Sequence, residues 1–130
     1  MISLYVIDAH TLLWYMSNDK RLGKKAREIM KRIDNGEEVG IVPSIVILES
    51  LYVAEKYGFA QEFINLYKAM KSSQNYFIHP LSSEIIDVAI ELPHEIELHD
   101  RIIIATARCF KATIITKDDI IKRFEKRTVW

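Results

Sequence analysis

The sequence predicts an α/β fold, a three-layer α/β/α sandwich on a mostly parallel sheet of four to five short strands. Three observations predict it. Short strand-like runs alternate with helical segments from end to end. The strand runs are apolar almost throughout, as strands covered on both faces are. The few glycines and prolines stand between segments, where turns belong. Right-handed crossovers then restrict the arrangement to a doubly wound sheet.

The elements follow in order. Ser3 to Ile7 is a run of strand formers ended by Asp8. Thr11 to Met16 is a short helix. Ala26, Ile29, Met30 and Ile33 recur at i, i+3, i+4 and i+7, so residues 24–34 form an amphipathic helix that Asn35-Gly36 stops. Val39 to Val42 is a second strand. Pro43-Ser44 opens a helix to about Lys56, with Ser44 as its expected cap. That helix carries Ile45, Val46, Ile47, Leu48, Leu51 and Val53 around most of its circumference, which predicts a buried helix.

Gly58 ends it, and Phe63, Ile64, Tyr67 and Met70 mark another amphipathic helix. Tyr76 to His79 is a third strand. Ser82 or Ser83 starts a helix with Ile85, Ile86, Ala89 and Ile90, which Pro93 terminates. Asp100 to Phe110 is a near-continuous apolar helix, Ala112 to Ile115 a fourth strand and Asp118 to Phe124 a short helix. Thr128 to Trp130 is a final edge strand.

A chain of 130 residues fits one domain over residues 1–130, and an apolar share of 49% is enough to bury a core. The single cysteine, Cys109, excludes an internal disulfide and reads as a small core residue of a reducing compartment. No signal peptide is visible, and no apolar run approaches the roughly 20 residues that cross a bilayer. The expectation is a soluble cytoplasmic protein with no membrane partner. Eighteen basic and 18 acidic side chains balance, which excludes a strongly basic nucleic-acid coat protein. The charge is uneven: basic stretches run from Lys20 to Arg32 and from Lys122 to Arg127. They read either as solvated helix faces or as a phosphate track beside an acidic site.

In an open parallel sheet, ligands bind beyond the carboxyl ends of the strands. Asp8 closes the first strand, and Thr116, Lys117, Asp118 and Asp119 follow the fourth. Asp100 opens the helix that leads to the fourth strand. Glu49 lies inside the apolar helix after the second. Its neighbours at i±3 and i±4 are Ile45, Val46, Tyr52 and Val53, so no local salt bridge answers its charge. Arg101 or Arg108 could do so from elsewhere.

Carboxylates that converge to within about 5 Å repel by roughly 3 kcal/mol per pair at an effective dielectric near 20. A counter-cation or raised pKa values must accompany such a cluster. Oxygen-only donors favour Mg²⁺ or Mn²⁺, and His10, His79, His94 and His99 show no zinc spacing. A hard cation with open positions suits phosphodiester hydrolysis. Asp8, Glu49, Asp100 and Asp118 are the candidate ligands and catalytic acids. Thr116 is a candidate partner of a ligand carboxylate. His10, His99, Arg101 and Lys117 are candidates for phosphate contact or support, and Asp119 and Glu97 lie close by.

The segments Val6-Ile-Asp-Ala-His-Thr-Leu-Leu-Trp14, Pro43-Ser-Ile-Val-Ile-Leu-Glu49, His99-Asp-Arg-Ile-Ile-Ile-Ala-Thr-Ala107 and Ile114-Ile-Thr-Lys-Asp118 occur in the order and spacing of the PIN-domain family. The closing Thr-Val-Trp130 matches too, so the resemblance covers essentially the whole chain. It is nearest to the VapC-like toxin ribonucleases. The resemblance implies a Mg²⁺- or Mn²⁺-dependent endoribonuclease acting on RNA, a homodimer, and a VapB-like antitoxin partner. The family's four acidic positions fall on Asp8, Glu49, Asp100 and Asp118, the last preferred over Asp119 from its spacing to Thr116.

Two positions depart from the pattern. Ala9 stands where a hydroxyl residue is usual, and Glu97-Leu-His-Asp100 stands where Asp-Pro-x-Asp is frequent. A receiver-like phosphoacceptor or an aspartyl-phosphate enzyme also gathers acids, a Thr and a Lys at strand ends. Ala9-His10 after Asp8, and His79-Pro80 after the third strand, break those patterns. A non-catalytic PIN-like binding or scaffold module is the other alternative, with metal-dependent cleavage as the discriminating property.

Overall fold

The computed structural model describes residues 2–130. Five strands and seven helices follow one another as β1 (Leu4–Ile7), α1 (Ala9–Met16), α2 (Lys24–Asp34), β2 (Val39–Pro43), α3 (Ser44–Tyr57), α4 (Ala60–Ser72), β3 (Tyr76–His79), α5 (Ser83–Ile90), α6 (Leu98–Phe110), β4 (Thr113–Ile115), α7 (Asp119–Phe124) and β5 (Thr128–Val129). The strands form one sheet in the order β3-β2-β1-β4-β5, with every pair parallel. The predicted fold class is therefore the observed one.

β1 is the centre of the sheet. Val6 registers with Ile41 of β2 on one side and Ile114 of β4 on the other. The chain winds outward from β1 through β2 to β3, then returns to β1's other side for β4 and β5. Right-handed crossovers require that α1–α4 cover one face and α5–α7 the other. The packing agrees: α1 lies on α2 and α3, α3 on α4, α5 on α6, and α6 on α7. Burial follows. Val6, Ile7, Ile41, Val42, Ile114 and Ile115 are all but inaccessible, with Met30, Ile33, Val46 and Phe63 among the buried helix residues and Ile85, Ile102, Ile104 and Ile121 among those of α5–α7.

The strand order reverses between β1 and β4. In sheets of this kind the crevice at that reversal, outside the carboxyl ends of the strands, is where ligands bind. Asp8 and Thr116 stand at those two strand ends.

Several local expectations need correction. Ser44 is the first residue of α3 rather than its cap. Pro43, paired with His79 as the end of β2, occupies the cap position, and its ring has no acceptor to bond the helix amides. α3 is not buried all round: Leu48 is 63% exposed and Tyr52 72% exposed. Only the stripe carrying Val46, Ile47, Ser50 and Ala54 is covered. α6 begins at Leu98, two residues before Asp100, because the Glu97 carboxylate caps it by accepting from the His99 and Asp100 amides. Cys109 is exposed, on the outer side of α6. Gly58 ends α3 in the left-handed region at φ 82°, where an L side chain is strained.

Candidate active site

Asp8 leaves β1 in extended conformation and caps α1. Its Oδ1 accepts from the Thr11 amide at 2.9 Å. The Thr11 hydroxyl lies 2.7 Å from that oxygen and 2.8 Å from the Ile115 carbonyl, and its single hydrogen serves one of the two. Asp8 Oδ2 accepts from the Thr116 hydroxyl at 2.5 Å. Thr116 in turn accepts from the Asp118 amide at 3.0 Å. A relay thus ties the end of β1 to the start of α7 across the switch point. All of Asp8, Thr11 and Thr116 are buried. Thr11, three residues after Asp8, was not singled out in the sequence. The spacing of a helix cap to its third residue was the available signal.

Asp118 caps α7, its Oδ1 accepting from the Ile120 and Ile121 amides at 2.8 and 3.0 Å. Asp100 sits in the first turn of α6, and Glu49 lies on the second turn of α3. Asp8, Glu49, Asp100 and Asp118 line a single open cleft of about 180 Å³, together with His10, His99, Leu13, Val53 and Ile103. Asp119, one residue on, is exposed and does not line it.

The electrostatics reflect this convergence. Burial pushes Asp100 up to about 6, and the charges of Asp118, Glu97, Asp8 and Glu49 push the same way. Burial also raises Glu49, and Glu97 and Asp8 add to it, while His99 and His10 oppose. Among the described residues Glu49 forms no ion pair. Arg101 spends its guanidinium on the carbonyls of Ile96, Ala89 and Pro93, which closes the loop between α5 and α6. Arg108 pairs with Glu125 at 3.2 Å. Neither answers Glu49, and Arg101 does not reach the cleft.

The remaining candidates divide. His99 lines the cleft, and its Nδ1 is 2.7 Å from Glu97 Oε1. Burial acts to raise Glu97, but bonds from the His99 and Asp100 amides and from the His99 ring outweigh it and hold the carboxyl below its ordinary value. His10 lines the cleft with its ring stacked on Trp14 at 5.0 Å. Lys117 does not line it; its Nζ lies 4.9 Å from the Trp14 ring centre.

The donor set fits a hard divalent cation in kind: four carboxylates, no sulfur, and repulsion that a positive ion would relieve. It is not a finished cage. Among the described residues no group of three acidic, histidine or cysteine side chains stands close enough to hold an ion as it is. The bonds of Asp8 to two threonines and of Asp118 to α7 explain part of this, because they fix those carboxylates as caps.

The chain resembles known structures over its full length. It superposes on a toxin–antitoxin complex from Klebsiella pneumoniae with a TM-score of 0.68 and 21% identity, covering 97% of this chain and 96% of that one. It superposes on VapBC2 from Rickettsia felis, solved with a DNA fragment from its promoter, with a TM-score of 0.72 and 17% identity, covering 98% and 97%. At these identities the likeness concerns the fold. Comparison with curated proteins gives no match. The family model described as "PIN domain" matches residues 5–127, nearly the whole chain, and this protein therefore belongs to the PIN domain family.

Proposed function

We propose that this protein is a Mg²⁺-dependent endoribonuclease, with Mn²⁺ as a substitute, and the toxin half of a VapBC-like toxin–antitoxin pair. PIN domains are generally nucleases that use divalent metals, and the family match supports that class. The observation that carries the reading is the single cleft lined by Asp8, Glu49, Asp100 and Asp118, in which burial and then neighbouring negative charge raise Asp100. The two structures from Klebsiella pneumoniae and Rickettsia felis are toxin–antitoxin complexes, which supports an antitoxin partner here.

On this reading residues 1–130 are one nuclease domain. Asp8, Glu49, Asp100 and Asp118 hold the cation, directly or through water. When bound, the ion supplies Lewis acidity and a counter-charge for the phosphate. Thr116 and Thr11 hold the Asp8 carboxylate in one orientation. Glu97 orients the His99 ring at the rim of the cleft, where it can donate to a phosphate oxygen. A homodimer and a cytoplasmic location belong to the same proposal. They accord with the exposed apolar side chains Leu48, Tyr52, Ile86 and Ile90 and with the lack, among the described residues, of a helix able to cross a membrane.

The test is cleavage of RNA in the presence of Mg²⁺ or Mn²⁺. Asp8→Asn and Asp100→Asn should each abolish it while the fold stays intact. Cleavage unchanged in both variants overturns the site. The alternative, a PIN-like binding module without catalysis, is favoured by one observation: the carboxylates do not close into a ready cage. Metal titration separates the two, since only the nuclease reading requires a specific ion in the cleft.

A further inference from the structure

Beside the acidic cleft opens a second, larger one of about 540 Å³. The two share His10, Leu13 and Val53 in their linings, so they are adjacent. Its character is different. Trp14, Tyr57 and Phe59 line it, with Arg21 and Asp19. Tyr57 is 68% exposed. The Arg21 guanidinium lies 4.5 Å from the centre of the Trp14 ring. Asp19 holds it with two bonds, from Nε at 3.1 Å and Nη2 at 2.8 Å, yet its side chain stays 65% exposed. A planar cation is thus fixed over an aromatic floor with much of its surface open.

Charge favours an anionic occupant. Arg27 donates to the Asp19 carbonyl, and Lys117 Nζ approaches the same Trp14 ring. Arg21 lines the cleft, Arg27 and Lys117 stand against residues that line it, and Asp19 is the one acid in that lining. The volume lies within the roughly 300–1,000 Å³ of small-ligand sites. Aromatic and guanidinium faces beside positive charge are what an unpaired nucleotide needs, because every base offers a π-face and its phosphate a negative charge.

We infer that this second cleft is a nucleotide subsite: one base of the RNA strand, next to the phosphate at the carboxylates, stacks against Tyr57 and the Arg21–Trp14 pair. The inference rests on the nuclease reading for its substrate, and it adds a register. A base seated here sets which phosphodiester bond reaches Asp8 and Asp100.

The test is equilibrium binding of a short single-stranded oligoribonucleotide, with Mg²⁺, to the Asp100→Asn protein. Tyr57→Ala, Tyr57→Phe and Arg21→Lys are added in turn, and melting curves verify the fold of each. Tyr57→Ala should weaken binding about tenfold, the scale of one lost base–aromatic stack. Tyr57→Phe should retain affinity, and Arg21→Lys should lose several-fold although the charge remains. A series of strands with single abasic sites should identify one position where Tyr57→Ala no longer matters. With Asp100 intact, Tyr57→Ala should raise KM or spread the cleavage positions more than it lowers kcat.

Affinity unchanged in both Tyr57→Ala and Arg21→Lys overturns the subsite. So does a loss that is equal for intact and all abasic strands, which would reduce the cleft to a charged rim. If the parent protein cleaves no RNA yet binds it with this pattern, the nuclease reading fails and the subsite stands. Absence of RNA binding by the parent overturns both.

Discussion

Replacing Asp100 by Asn and following stability against pH measures the charge repulsion held in the acidic cleft. Asp100 is raised from 3.8 to about 6, by burial first and then by Asp118, Glu97, Asp8 and Glu49. Because its folded value lies above its unfolded one, its protonated form favours the fold. That contribution is complete below pH 3.8 and is lost as pH rises through about 6. The full shift corresponds to about 3 kcal/mol at 1.36 kcal/mol per unit. The cleft is open to solvent, and screening reduces this to about 1 kcal/mol.

For a domain of this size, about 1 kcal/mol moves the Tm by about 4 °C. The assay is thermal unfolding of chelator-treated protein at pH 4.5 and pH 7.5, for the parent and for Asp100→Asn. About two thirds of the loss falls in that interval, so the parent should lose about 2–3 °C more than the variant. Glu49, whose carboxyl is raised as well, adds to the pH slope of both proteins. At pH 7.5, Mn²⁺ should restore the parent and leave Asp100→Asn much less affected. At 100-fold over its Kd the ion would stabilise the parent by about 2.7 kcal/mol. Equal pH slopes for the two proteins, with no effect of Mn²⁺ on either, would refute both the repulsion and the cation that relieves it.

Three further outcomes are expected. Thr116→Val removes the hydroxyl that donates to Asp8 and accepts from the Asp118 amide; it should cost about 1–3 kcal/mol in urea denaturation and weaken Mn²⁺ binding in titration, whereas unchanged Mn²⁺ affinity would remove its role at the site. The Tyr15 and Tyr76 hydroxyls both donate to Asp34, at 2.5 and 2.6 Å, and burial with these bonds pushes both phenols far above the ordinary range. Ultraviolet titration should therefore show two of the six tyrosines ionising only with alkaline unfolding, and Tyr76→Phe should leave Tyr15 as the one such tyrosine at a cost of about 1 kcal/mol. Phe63 is 1% exposed in the core cluster, so Phe63→Ala should cost about 3–5 kcal/mol by chemical denaturation; a loss under 1 kcal/mol would contradict that packing.

The sequence by itself determined the fold class and nearly every element, because local signals carried both. Periodicity marked α2 and α4, and apolar β-branched runs marked β1 to β4 within a residue or so. Spacing also named the four acids that line the cleft, since the ends of β1 and β4 and the start of α6 follow from element order once the sheet is taken as parallel. Tertiary structure decided what local pattern could not. α3 is apolar on all sides, but its neighbours cover only one stripe, so Leu48 and Tyr52 remain exposed. Cys109 lies in an apolar run yet faces outward for the same reason. Arg101 sits beside Asp100 in the chain but turns away, because one carbonyl of α5 and two of the loop after it bond its guanidinium. The larger cleft against Trp14 joins residues from α1, the loop after it and the end of α3. Only the crossover of the chain around β1 brings such distant segments together, and periodicity carries no information about that.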